Sequence, residues 1–405
     1  MKKFNIVILI IILLTGLIVI GSLLMSGELK NQLGFNDNQE VDLKFKESYS
    51  EDDIARLVNQ GYQEVASAKD LDEVRNDLGG KYIQTKNIDL SSIENFEPIG
   101  NEKDKFTGTY VGGNSKITGL TISKPESDHV GFFGYTSEAK IENVTIDESN
   151  IEGNHYTGIL VGYTEDSDVK NSHVKGEVKG GSPTGGLVGY TKNSLIVSSD
   201  SEVILYGKVF TGGLIGQLQD SQVFYSSSNG EIKGEVNQTG GLVGRSINSA
   251  IRKSYSLGNV LGEGDYTGGL VGYQYSSYVS DSYSHTNVKG NDYVGGLVGN
   301  KDDSAVYNSY SIGNVYGEGE RVGGLIGYSN QGEIGSSYYG IELTGQESSA
   351  EGLGLTREQM KKQSNYTGWN FGNEKYDWTM EKGEYPVLVI KDRWNFLFRG
   401  FPLLT

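Results

Sequence analysis

Four histidines, scattered carboxylates and an unusual number of tyrosines are the residues here that could do chemistry. His129, His155, His173 and His285 are the only histidines, and none pairs as His-x-x-x-His or His-Glu-x-x-His. Zinc needs several such ligands converging, so neither a metalloprotease centre nor a structural zinc site is expected, and no cofactor is implied. The chain has no cysteine, hence no disulfide and no thiol nucleophile. A Gly-x-Ser-x-Gly elbow and a phosphate-binding P-loop are also missing. The carboxylates Asp166, Asp168, Asp200, Glu202, Asp281, Asp302 and Asp303 are numerous. Two or three of them converging on a groove would suit polysaccharide cleavage. Stacked repeats could bring Asp281 near Asp302 or Asp303. No calcium-loop spacing accompanies them, and the plainer reading is a solvated acidic face.

The tyrosines are more orderly. The stretch "YQYSSYVSDSY" puts Tyr273, Tyr275, Tyr278 and Tyr283 close together. Tyr135, Tyr163, Tyr190, Tyr273 and Tyr328 each follow the last glycine of a recurring pentapeptide. Aromatic rings lined up on a rigid face can grip a glycan or a protein. Tyr135, Tyr163, Tyr190, Tyr273, Tyr275, Tyr278 and Tyr328 are therefore the candidate ligand surface. The competing reading is that the rings stack on one another and only stabilise the fold.

The element that positions these residues is the pentapeptide itself. GILVG begins at Gly158, GGLVG at Gly185, Gly240, Gly268 and Gly295, GGLIG at Gly212 and Gly323, and a looser VGFFG occupies 130–134. Its last glycines are Gly134, Gly162, Gly189, Gly216, Gly244, Gly272, Gly299 and Gly327, spaced 28, 27, 27, 28, 28, 27 and 28 residues apart. That period belongs to a solenoid and is too short for a propeller blade. Seven residues after each glycine stands Ile141, Val169, Ile196, Val223, Ile251, Val279, Val306 or Ile334. From the second repeat on, the tenth position is serine throughout, from Ser172 to Ser337. The eleventh is Tyr255, Tyr283, Tyr310 and Tyr338 in the later repeats, and His173 shares that column. A further aliphatic column runs from Val178 to Leu343 and a glycine column from Gly180 to Gly345. The first repeat slips, its glycine being Gly153.

These columns predict an all-β, right-handed parallel β-helix of about eight to ten coils, with three short strands per coil. Strands stacked about 4.8 Å apart would align like side chains into ladders. Glycine would serve corners that need positive φ or a close backbone approach. Composition agrees: 58 glycines, only 5 prolines and 36% apolar residues suit a thin, turn-rich β core. A net charge of −17 disfavours a nucleic-acid partner.

Residues 1–27 read as a signal-anchor or signal peptide. Lys2 and Lys3 precede an uncharged run from Ile6 to Met25, about long enough to span a bilayer as a helix. The expectation is a membrane partner through residues 6–25 and a single-pass protein with its C-terminal domain extracellular, or a secreted one if the segment is cleaved. Residues 28–56 read as a polar linker, 57–107 as an N-terminal cap and first coil, 108–345 as the β-helix, 346–390 as a C-terminal cap and 391–405 as a tail. Ser67 with Asp70, and Thr356 with Gln359, have capping-box spacing for short cap helices.

The repeated G-G-L-[VI]-G resembles the GLUG motif of bacterial surface and secreted proteins. "KYIQTKNIDLS", "FEPIG" and "FTGTYVGGNSKITGLTI" resemble the opening coils of such domains, and "GLTREQM", "NYTGWNF" and "YPVL" their closing segment. The likeness covers about 65–390. These repeats occur in adhesins of the filamentous haemagglutinin type and beside peptidase domains in IgA-cleaving metalloproteases, and no such peptidase domain is present here. Gly112 stands where such domains usually have an aspartate. The resemblance implies a non-enzymatic surface or secreted protein for adhesion or structural display. The alternative is a carbohydrate-active β-helix enzyme, a polysaccharide lyase or hydrolase.

Overall fold

A coil of this chain must turn a corner three times in fewer than thirty residues, and its side chains record how. The computed structural model describes Lys46, residues 48–372 and residues 377–389. Two large parallel sheets run across the coils. In one coil, Val271–Tyr275 and Tyr278–Ser280 belong to the first sheet, and Tyr283–Gly290 and Thr267–Gly268 to the second. The expected three strands are present, with the Thr-Gly pair as a short fourth. Nine rungs stack at the pentapeptide: Ile99, Phe133, Val161, Val188, Ile215, Val243, Val271, Val298 and Ile326. The other columns keep register, as in Ile251–Val279–Val306–Ile334 and Ile232–Val260–Val288–Val315. The slip in the first repeat is a bulge, where pairing shifts between Val174 and Gly176.

The core is the inside of the coil. Both aliphatics of the pentapeptide point inward, so Leu270 and Val271, like Leu242 and Val243, are fully buried. The glycines around them stay in ordinary backbone regions, and none of the eight repeat glycines has positive φ. Their reason is close approach. A Cβ on Gly268 would lie 1.9 Å from the carbonyl oxygen of Val271, and one on Gly272 would lie 2.7 Å from that of Gly244.

The left-handed corners fall elsewhere. Four residues after the pentapeptide, Asp166, Asn193, Asp220, Asn248, Ser276 and Asp303 have φ between 44° and 49°. Nine residues after it, the same conformation recurs at Asn171, Ser198, Tyr225, Lys253, Asp281 and Asn308. Left-handed backbone costs an L-residue about 1–2 kcal/mol. Each corner is followed by a buried serine that offsets this cost. The Ser226 N–H donates to Ser254 Oγ in the next coil (3.2 Å), and the Ser254 hydroxyl donates to the Arg252 carbonyl (2.8 Å). The same pair of bonds runs through Ser172, Ser199, Ser226, Ser254, Ser282 and Ser309. A second ladder runs through Ser167, Ser194, Ser221, Ser249, Ser277 and Ser304. Amides that leave the sheet at a corner thus find acceptors.

Both ends carry helices. Ser50 opens α1, Glu51–Asn59, with a complete capping box to Asp53, inside the polar run read as a linker. Ser67 caps α2, Ala68–Glu73, which buries Leu71 and is followed by buried Val74. Near the other end lie α3, Ile341–Thr344, and α4, Arg357–Met360, the latter with the expected Thr356–Gln359 capping box. Lys301 pins this end from inside. Its side chain is fully buried, donates to the carbonyls of Ser304 (3.1 Å) and Gln331 (2.8 Å), and pairs with Glu351 at 3.2 Å. Desolvation holds its pKa below the usual lysine range.

The transmembrane helix expected over residues 6–25 is corrected, and with it the membrane partner and the single-pass localisation. Among the described residues no helix is long and apolar enough to cross a membrane. α1, the first helix among the described residues, has 9 residues, against about 20 for a span. Residues 1–27, on which that expectation fell, lie outside the described residues, as does the tail 391–405.

Ser254→Ala removes an acceptor from a buried amide and should lower stability by about 1–3 kcal/mol. Hydrogen exchange should show the Ser226 amide opening faster while distant coils keep their protection. Glu351→Gln leaves the Lys301 ammonium without its counter-charge and should cost about 3–5 kcal/mol in urea melts, whereas the double variant Lys301→Met with Glu351→Leu, which removes both charges, should cost much less.

Candidate functional site

The residue after each pentapeptide begins an outward row at one corner. The residue six before its last glycine supplies a second row beside it. Together they form a ridge. In the early coils Tyr135 stacks on Tyr163 (4.4 Å between ring centroids) and Tyr163 on Tyr190 (4.7 Å). His129 and Tyr156 lie edge-on or stacked against them. Here the rings occupy one another's faces, and Tyr135 is only 7% exposed. In the later coils the ridge mixes aromatic and guanidinium groups. Arg245 lies over Phe210 (4.9 Å) and Tyr273 (5.9 Å), and Arg321 over Tyr293 (4.4 Å) and Tyr328 (5.8 Å). Tyr266 sits between Tyr273 and Tyr293. Burial and then the Asp302 carboxylate, 3.4 Å from its hydroxyl, push the Tyr273 phenol up.

Five of the seven candidate tyrosines therefore share this ridge: Tyr135, Tyr163, Tyr190, Tyr273 and Tyr328. Tyr275 follows on the same strand and is exposed. Tyr278 is not with them. It starts the next strand, is buried, and packs on Tyr307 and Arg252.

The other tyrosine column is closed to solvent. Tyr255, Tyr283, Tyr310 and Tyr338 form a ladder on the second sheet, with Tyr255 and Tyr283 stacked at 4.8 Å. Residues 356–372 and 377–389 fold back across it. Trp369 and Trp378 stack at 4.2 Å over Tyr310, whose hydroxyl donates to the Pro386 carbonyl (2.5 Å). The expected closing strand is two residues long, Val387–Leu388, and pairs antiparallel with Trp378–Thr379. His285 lies under this cover, 2.5 Å from the Tyr310 hydroxyl and against the Tyr283 ring. Desolvation lowers its pKa from 6.5 to about 3.

The carboxylates do not converge. Asp302 meets Tyr273 and Asn330, Asp303 meets Ser276 at the corner four residues after the pentapeptide, and Asp281 meets Asn308 at the other corner. His173 hydrogen-bonds Asp200 in the adjacent coil. Among the described residues no group of three His, Cys, Asp or Glu side chains could hold a metal ion.

One surface escaped the sequence reading. A groove of about 640 Å³ crosses the second sheet between two outward rows. Its amide row is Asn259, Asn287 and Asn314, spaced 28 and 27 residues apart, a period that was legible in the sequence.

No family model matches this chain. A stretch of 128 residues, 28% of the chain, is 33% identical to Halomucin of Haloquadratum walsbyi, and 99 residues, 22% of the chain, are 32% identical to "Putative Gly-rich membrane protein" of Evansella cellulosilytica. The matches span 1% and 12% of those proteins. The crystal structure of a "putative immunoglobulin A1 protease" from Bacteroides ovatus superposes over 81% of this chain and 92% of its own, at 16% identity and a TM-score of 0.45. The chain, a β-solenoid by its own strand register, has partial sequence likeness to these two proteins.

The depressed pKa of His285 sets a pH dependence. The unfolded chain takes up a proton near pH 6.5 and the folded chain does so only near pH 3, so stability falls as pH drops through that window. The urea midpoint followed by tryptophan fluorescence should fall on acidification, and His285→Phe should flatten the slope between those limits.

Proposed function

We propose that this chain is a non-enzymatic, adhesion-type solenoid that holds a glycan or protein ligand on its ridge. The observation that supports this most is the later half of the ridge. There Tyr266, Tyr273, Tyr293 and Tyr328 alternate with Arg245 and Arg321 on coils locked by register. Tyrosine and arginine on a rigid support lose little entropy on binding and offer both ring faces and donors. The early half reads as structural, because its ring faces are already stacked. The GLUG-like pentapeptide supports the same reading, since its glycines serve packing and leave contact to the residue that follows. Asp281 lies at a different corner from Asp302 and Asp303, so the carboxylates singled out for a lyase or hydrolase do not meet in one groove.

Full-length protein screened against glycans and matrix proteins should bind at least one class. Tyr273→Ala and Tyr328→Ala should each weaken that binding about tenfold, roughly 1.4 kcal/mol, with unchanged thermal melts. Tyr163→Ala should instead lower the melt. Binding insensitive to Tyr273 and Tyr328, or none across the screen, would count against the ridge.

A further inference from the structure

The groove on the second sheet carries a second site. We propose that it binds a neutral, extended polysaccharide laid along the solenoid axis, one sugar unit per coil. This site is separate from the ridge and does not rest on the adhesion reading.

The groove lies between two outward rows that flank the buried positions Ile232, Val260 and Val288. On one side stand Asn259, Asn287 and Asn314, all exposed. Asn287 Nδ2 donates to Asn259 Oδ1 (3.0 Å), and Asn287 Oδ1 accepts from the Asn314 backbone N–H (3.1 Å). The Asn259 and Asn287 amides are thus held against one another at the strand spacing of about 4.8 Å, with Asn314 continuing the row. Each offers a donor and an acceptor, which suits vicinal hydroxyls. A sugar in an extended chain advances by about that same spacing, so successive units meet successive amides in the same way.

On the other side, Tyr206 and Tyr316 end the row, 41% and 52% exposed. They stand four coils apart, about 19 Å at that spacing. Each presents an exposed ring on which the apolar face of a pyranose can stack, Tyr316 by the face away from Lys289, whose Nζ lies 5.7 Å from its ring centroid. Between them, Lys233 is neutralised by Glu263 (2.8 Å), and the remaining charges of the lining, Lys289 on this side and Glu231 in the amide row, are of opposite sign. A balanced lining on a chain of net charge −17 matches an uncharged ligand and repels a polyanion. The amide row begins beside Gly230, Gly258 and Gly313, whose φ values are 154°, 100° and 115°, with Thr286 at the equivalent place in the coil of Asn287.

The test is calorimetric titration of the full-length protein with neutral β-linked gluco-, manno- and chito-oligosaccharides of increasing length, beside a polyuronate. Affinity for one neutral series should rise with length until the chain reaches both tyrosines, at about five units, and then level off. Tyr206→Ala and Tyr316→Ala should each weaken the long oligosaccharides at least tenfold and abolish the length dependence. Asn287→Ala should weaken every length. Tyr273→Ala on the ridge should leave this binding unchanged, which separates failure of this site from failure of the ridge. Both groove tyrosines are exposed, so their variants should fold, as thermal melts would verify. No binding by any neutral series, no response to the tyrosine variants, or preference for the polyuronate would each overturn the proposal.

Discussion

The structure depends on one demand: a chain that turns three times per coil must leave no buried amide without an acceptor. Strand pairing satisfies the flat parts. At two of the corners the backbone swings through left-handed φ, and a serine tucked behind the turn takes the amide of the coil before it. Asparagine and aspartate recur at these corners because a short polar side chain tolerates that conformation best. At the third corner the pentapeptide lets backbones pass so closely that only hydrogen fits in place of a side chain. Serine ladders and glycine columns are two answers to the same requirement, and the aliphatic core fills what they enclose.

Much of this was legible in the residues. The period, the aliphatic columns and one serine column are spacing facts, and a parallel stack converts spacing directly into register. The second serine column, Ser167 to Ser304, stood in equal register and is read only once its hydrogen bonds are seen. Glycine type alone did not separate its two uses. The eight repeat glycines serve close approach, and the positive φ sits on Asp166, Asn193, Ser276 and others.

What could not be read is cover. Tyr255 to Tyr338 and Tyr135 to Tyr328 are similar columns in one dimension. The first is buried because residues 356–372 and 377–389 return across it, a contact between distant parts of the chain that no local pattern encodes. The split within the second column also needs three dimensions. Tyr163 is held between two neighbouring rings, while Tyr273 has an arginine and an acid beside it. The groove was hidden for a related reason: its rows are unremarkable residues, and only the stacking of successive coils lines them up.

The serine ladders also have a direction. Each amide waits for a hydroxyl that lies one coil later in the chain, never earlier. A partly built stack therefore always ends in corners whose amides are still wetted, and the next coil to be made is the one that dries them. A chain made from its N-terminus can thus seal each turn as the next one follows, and the aromatic residues at 356–372 and 377–389 come after the ladder they cover.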